Sequence, residues 1–217
     1  MDKNNSPYKK ILITAGPTRE SLDPVRYISN YSTGKMGYEI ARMASSRGHE
    51  VCLITGPVTI PVPEGVKVVN VVTAEEMKDA VEEKVDDYRC IIMTAAVSDF
   101  KPERQSEEKI KKTCELTINF VKNPDILESV KEKSIKKVGF ALETKNAVEN
   151  GITKLKNKEL DIIVINKRDE KNDPFGDDDN KRKYVTVKKD GQLEEYKGIT
   201  KKEMAEIIVN EVEELFV

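Results

Sequence analysis

Short, continuous apolar runs alternate along the chain with longer stretches in which apolar residues recur every three or four positions. The runs are Ile11–Thr14, Val51–Thr55, Val66–Val72, Cys90–Ala95, Lys137–Leu142 and Asp161–Asn166. They lack in–out alternation, so they predict strands of a parallel sheet covered on both faces. The stretches between them predict helices over Gly37–Ser46, Ala74–Asp87, Asp125–Lys133 and Lys145–Asn157. Thr73 and Glu76 stand in capping-box spacing at the start of the second. Strand–helix alternation of this kind predicts an α/β fold: a doubly wound, mainly parallel, Rossmann-like sheet.

Beyond Asn166 the pattern changes. Lys167 to Lys183 carries almost no apolar residue and predicts a loop. Tyr184–Lys188 and Gln192–Tyr196 then alternate around Lys189-Asp190-Gly191, a hairpin signal. Residues 200–216 predict a last amphipathic helix, with Thr200 and Glu203 as a second capping pair. The expected organisation is a frayed polar tail over 1–8 and a single domain over 9–217. That domain carries a late hairpin extension at about 167–199, an edge extension or a dimer contact.

Composition narrows the chemistry. Apolar residues make up 38% of the chain and charged residues 35%, enough for one core beneath a charged surface. Lys and Arg number 37 against 39 Asp and Glu, a net charge of −2 that argues against broad nucleic-acid binding but leaves room for a small cluster of lysines around one triphosphate. Cys52, Cys90 and Cys114 form no C-x-x-C pair, which argues against a zinc or disulfide framework; Cys52 and Cys90 sit in apolar runs as small core residues. His49 is the only histidine and follows Gly48 before a predicted strand, so a turn position suits it better than a catalytic base. No apolar stretch reaches bilayer-spanning length, and MDKNNSPYKK has no apolar signal region; the cytoplasm is the expected compartment, without a membrane partner.

Doubly wound sheets bind ligands at the carboxyl ends of their strands. Here those ends carry Ala15-Gly16-Pro17-Thr18-Arg19, Thr94 to Asp99, Leu142-Glu143-Thr144 and Asn166-Lys167, which would converge on one crevice. The first loop matches neither familiar phosphate signature. It has no G-x-G-x-x-G, and the second strand ends Ile54-Thr55-Gly56-Pro57 without an acid for a ribose. Aligning Gly34-Lys35 as a P-loop puts Ser29 where glycine is required and Met36 where Ser or Thr should hold magnesium.

Two readings of that loop stay open. Ser32, Thr33 and Gly34 could offer backbone N–H groups to an anion at the start of a helix, with Arg19 and Arg26 as charged partners. Alternatively Arg19 pairs with Glu20 or Asp23 on the surface, and the small residues only cap a helix. The other motifs divide in the same way. Asp99 in AAVSDF is a metal or ribose ligand, or a turn residue. EEKIKK, 107–112, is a lid bringing Lys109 onto a polyphosphate, or a solvated charge run. KNPDIL, 122–127, starts a helix with or without a ligand, and Lys154 and Lys158 share a helical face that clamps phosphate or meets water.

Taken in order, ITAGPTRESLDPVRYISNYSTGKMG, AAVSDF, EKIKK, KNPDIL and VGFALET, then a lysine-bearing helix and Asp161, resemble one family across about residues 9–166. It is the phosphopantothenate–cysteine ligases (phosphopantothenoylcysteine synthetases) of coenzyme A biosynthesis, in a stand-alone bacterial form. The resemblance implies that the carboxylate of 4′-phosphopantothenate attacks the α-phosphate of CTP, releasing pyrophosphate, and that the amine of cysteine then displaces CMP to form an amide. Mg2+ is the implied cofactor, and a homodimer the implied assembly. The alternatives are the same ligation with ATP, or a nucleotide-binding protein of this fold without turnover.

Position by position, the resemblance implies that Asn30, Arg26 and Lys109 are catalytic and that Arg26, Asn30, Gly34 and Lys35 bind the acid substrate. It places Gly16, Ala95, Ala96, Asp99, Lys109, Pro124, Asp125, Ile126, Leu127, Phe140, Lys154 and Lys158 around the nucleotide, with Asp99 near the metal. An amide at Asn30 suits the acyl-nucleotide intermediate, because it donates a hydrogen bond without titrating. Many bacterial relatives carry an N-terminal flavin-dependent decarboxylase. The chain opens on the ligase strand, so the resemblance implies no flavin and a separate decarboxylase in the same pathway. Ser98 and Leu142 stand where alanine is common in the family, beside the expected base pocket.

Overall fold

The computed structural model describes residues 9–112, 115–167, 175 and 181–217. The expected tail, Cys114 and most of the loop after Lys167 lie outside the described residues. Six strands run parallel: β1 (Lys10–Ala15), β4 (Glu50–Thr55), β5 (Val66–Asn70), β6 (Cys90–Met93), β9 (Lys136–Glu143) and β10 (Ile162–Lys167). β11 (Arg182–Lys188) and β12 (Leu193–Ile199) extend the sheet antiparallel, giving the order β12-β11-β10-β9-β6-β1-β4-β5. The chain builds outward from β1 through β4 to β5, returns to place β6 on the other side of β1, and then builds the opposite way. The switch in direction lies between β1 and β6, where doubly wound folds open a crevice.

Alternate side chains of β1 feed two separate cores. Ile11 and Ile13 pack under α1 (Lys35–Ser46) and α5 (Lys201–Glu214), whereas Leu12 packs under α2 (Ala74–Lys84), α3 (Ile126–Ser129) and α4 (Ala147–Asn157). Cys52 and Cys90 are core residues, as expected. Both capping boxes form: the Thr73 and Thr200 hydroxyls accept the backbone N–H groups of Glu76 and Glu203, and each glutamate reaches back to its cap.

Several boundaries differ from expectation. α1 begins at Lys35 rather than Gly37, because Gly34 takes the left-handed N-cap conformation with φ +79°. α3 is only four residues long, since Val130 leaves the helix in place of continuing to Lys133. The hairpin is longer than the alternating pattern indicated, with Gly191 at φ +94° in its turn. Two three-residue ribbons have no counterpart in the apolar pattern: β2 (Arg19–Ser21) with β3 (Tyr27–Ser29), and β7 (Phe100–Pro102) with β8 (Phe120–Lys122). Most of their side chains are exposed or only partly buried, so no hydrophobic run marks them.

Candidate active site

Close backbone approach shapes the crevice. Gly16 (φ +74°) ends β1, and a Cβ on Gly34 would lie 3.3 Å from the Gly16 Cα. At Gly37 a Cβ would lie 2.5 Å from Thr94 Oγ1 and 2.6 Å from the Ala15 Cβ, so only glycine lets α1 settle this near the ends of β1 and β6. The first two loops are then stitched together. Ala96 N–H donates to the Gly16 carbonyl at 2.9 Å, Ser98 N–H donates to Thr18 Oγ1 at 2.9 Å, and Asn30 Nδ2 donates to the Ala96 carbonyl at 2.9 Å.

The result is a cavity of about 980 Å3 at the switch point, straddling the carboxyl edge of the sheet. Asn30, Gly34 and Lys35 line it from the first loop and the start of α1; Ala95, Ala96 and Asp99 line it from the loop after β6. Pro124, Asp125, Ile126 and Leu127 form the wall before and within α3, while Phe140 on β9 and Lys154 and Lys158 on α4 complete it. Four motifs far apart in sequence therefore share one cavity.

Charge in this wall is arranged in two ways. Lys154 Nζ donates to the Phe140 carbonyl at 2.7 Å, and burial holds its ammonium below the usual lysine range despite the carboxylates of Asp125, Glu143 and Asp99 nearby. Burial also opposes the Lys158 charge. There it is outweighed, because Lys158 Nζ sits 2.7 Å from Asp125 and 2.8 Å from Glu128, which together raise its pKa. Asp125 additionally accepts the Glu128 N–H as the cap of α3, so its capping and cavity-lining positions coincide. Lys154 is the poised cation of the pair, partly desolvated and held by a carbonyl rather than by a carboxylate.

Three expected site residues do not line the cavity. Gly16 lies behind Gly34 and supports it. Arg26 turns to Asp23 and to the Ile110 carbonyl, and Lys109 is exposed beside that contact. Arg19 stacks 4.6 Å over the Tyr27 ring. His49 directly follows the Arg47–Gly48 turn and is buried; its Nε2 lies 3.0 Å from Glu213, and it does not line the cavity.

The cavity also includes residues that motif reasoning missed: Asn123, Tyr184 and Lys201 among them. Asn123 donates to the Ser98 carbonyl at 2.9 Å, and its Oδ1 is buried without a partner among the described residues. It stands inside KNPDIL and was within reach of the motif. Tyr184 and Lys201, both buried, enter only because β11 pairs with β10 and α5 packs beside α1; no local signal marks them. Among the described residues, no group of three or more His, Cys, Asp or Glu side chains is arranged to hold a metal, and no helix is long and apolar enough to cross a membrane.

Residues 7–216 match the family model for the DNA/pantothenate metabolism flavoprotein C-terminal domain. The chain is 47% identical over 184 residues to the coenzyme A biosynthesis bifunctional protein CoaBC of Escherichia coli strain K12, covering 82% of this chain and 45% of that protein. It is 39% identical over 209 residues to a cysteine/cysteine sulfinic acid decarboxylase from an unknown prokaryotic organism, covering 94% and 58%. The chain thus spans under half the length of the bifunctional relative. The crystal structure of the C-terminal domain of a coenzyme A biosynthesis bifunctional protein CoaBC superposes with a TM-score of 0.81 at 35% identity, covering 95% of each chain.

Proposed function

The chain belongs to the DNA/pantothenate metabolism flavoprotein C-terminal domain family, and on that premise we propose that it is a phosphopantothenate–cysteine ligase using CTP. One observation carries the reading: the loop after β1, the loop after β6, the α3 wall and the α4 lysines meet in one cavity at the switch point. Such a cavity suits a reaction that needs three molecules aligned and a polyphosphate neutralised, with no enzyme nucleophile.

In the first step a carboxylate oxygen of 4′-phosphopantothenate bonds to the α-phosphorus of CTP, and the bond to pyrophosphate breaks. In the second, the cysteine nitrogen bonds to the acyl carbon, CMP leaves and the amine gives up a proton. Lys154, already desolvated, gains most from an approaching phosphate and is assigned to the triphosphate. Asn30 is assigned to the acyl nucleotide; with one amide N–H fixed on Ala96, its orientation is set before substrate arrives. The backbone at Ser32–Gly34, at the start of α1, is assigned to an anionic group of the acid substrate.

A magnesium ion fits these residues as a companion of the triphosphate rather than as a resident ion. Asp99 offers one exposed carboxylate at the cavity, and Mg2+ commonly takes one or two carboxylates together with phosphates and water. When bound, it would neutralise developing phosphate charge. The proposed homodimer has a candidate face on the first ribbon, where Val25, Tyr27, Ile28 and Tyr31 are exposed beside the cavity. The related decarboxylase marks a rival activity, and the assay separates it. The chain is incubated with cysteine or cysteine sulfinic acid alone, and with phosphopantothenate, cysteine, magnesium and each triphosphate in turn, following pyrophosphate and carbon dioxide. Pyrophosphate with CTP alone supports the proposal, and pyrophosphate with ATP alone replaces the nucleotide. Release of neither product leaves a binding protein, while carbon dioxide from cysteine or its sulfinic acid without a triphosphate sinks the ligase assignment.

A further inference from the structure

The loop after β6 is gripped from two sides where it runs into the ribbon β7–β8. On one side, Ser98 N–H donates at 2.9 Å to Oγ1 of Thr18, a fully buried residue. On the other, Asn123 holds two successive carbonyls: its Nδ2 donates to Ser98 and its N–H to Asp99, each at 2.9 Å. Because the Ser98 partner is a carbonyl, the amide must turn its Nδ2 that way. Its Oδ1 is then left buried, with no partner among the described residues. Little else among the described residues fixes this end of the ribbon. Phe100 pairs there with Lys122, both exposed and both lining the cavity. The ion pair from Lys101 Nζ to Glu75, 2.8 Å long, is open to solvent and therefore weak. Asp99 itself is exposed at the cavity.

We propose that Asn123 is a positioning residue that clamps the backbone of Ser98 and Asp99 and so sets where the Asp99 carboxylate meets the metal ion that accompanies the triphosphate. This rests on the ligase reading for the metal, though not for the clamp itself. A carboxylate on a loose loop would have to be ordered each time metal and triphosphate arrive, at a cost in affinity. Asn123 orders it in advance: with two consecutive carbonyls held, only the Asp99 side-chain torsions are left to settle. The orphaned Oδ1 points the same way. A buried acceptor without a partner destabilises a fold, so stability alone does not account for an asparagine here. What its Nδ2 and N–H hold does account for it. Asn123 also stands directly before Pro124 to Leu127, so one residue ties the loop carrying Asp99 to the cavity wall before and within α3.

The test has a structural arm and a kinetic arm, both on the full chain. Hydrogen exchange of the ligand-free protein, mapped by mass spectrometry, reads the clamp without any activity. Asn123→Ala should speed exchange in peptides covering residues 95–101 by about tenfold relative to β1 and β4. Asn123→Asp should speed it more, since a carboxylate oxygen would then face the Ser98 carbonyl. Asn123→Ala loses the orphaned acceptor together with the hydrogen bond, so it is the variant expected to stay folded. Equal exchange in wild type and Asn123→Ala overturns the clamp. In the ligase assay, Asn123→Ala should raise the half-saturating Mg2+ concentration on the order of tenfold while leaving KM for phosphopantothenate near wild type. Asn123→Asp should again be the more damaging of the two. In an Asp99→Asn background, Asn123→Ala should add little to the loss already present. Losses that multiply there, or an Asn123→Asp milder than Asn123→Ala, would mean that Oδ1 meets a ligand directly and would overturn the positioning role. An inactive wild type whose exchange still depends on Asn123 supports the clamp and removes the ligase reading.

Discussion

Asn30, Lys154 and Tyr184 each carry a consequence that follows from their own contacts. Asn30→Asp would face the Ala96 carbonyl with a carboxylate oxygen, turning a donor into a repelling charge. Turnover should fall by about a hundredfold or more, with CTP binding by calorimetry nearly intact; unchanged turnover removes Asn30 from the chemistry. Lys154 has its folded pKa depressed by burial, below the ordinary value of 10.5. Between the depressed value and 10.5 the unfolded chain holds a proton that the folded chain has released, so stability from this residue rises with pH across that window. A bound polyphosphate reverses the shift. CTP should thus bind with proton uptake in the same window, weaken as pH rises through it, and show neither effect in Lys154→Gln; titration calorimetry in buffers of different ionisation enthalpy reads the uptake. Tyr184 buries a hydroxyl with no partner among the described residues, a penalty of about 1–3 kcal/mol. Tyr184→Phe removes the hydroxyl and keeps the packing, so the ligand-free thermal midpoint should rise; a fall shows that the oxygen is satisfied.

Elements that own a hydrophobic face were legible, and those held by polar contacts were not. β1, β4, β6, β9 and β10 follow from continuous apolar runs, and α1, α2, α4 and α5 from helical spacing, because burial on the sheet is what makes each of them. The ribbon β2–β3 is set by Asp23 closing its turn, and β7–β8 pairs Phe100–Pro102 with Phe120–Lys122 with most side chains exposed, so neither left an apolar trace. α3 stops early: Asp125 caps its start, and Val130 leaves the helix at φ −109° and ψ 8°. Capping was readable because it is local: Thr200 and Glu203 meet three residues apart. Thr200→Ala should cost about 1 kcal/mol and lower the urea midpoint without changing its slope. An unchanged midpoint would mean that packing of α5 against α1 alone fixes the start of that helix.

At the scale of the molecule, the cavity sits where two runs of β-α units leave β1 in opposite directions, with the loops after β1 and β6 and the start of α1 around it. The ribbons flank that opening and expose Tyr27 at 49% and Ile28 at 38%. If a second copy covers this face, light scattering will give about twice the 24.5 kDa chain mass, and Ile28→Asp will shift the protein toward monomer; a wild-type monomer at assay concentration sinks the dimer. The sequence by itself determined the sheet, its two helical faces and four of the motif segments that meet in the cavity, since periodicity, capping and short loops act within a few residues of one another. Only the tertiary structure decided that Tyr184, Lys201 and Asn123 share the cavity, and that Arg26 pairs with Asp23 and the Ile110 carbonyl outside it. The partners of those side chains come from elsewhere in the fold — Arg26 and Ile110 are 84 residues apart — and no local pattern encodes a contact closed by packing.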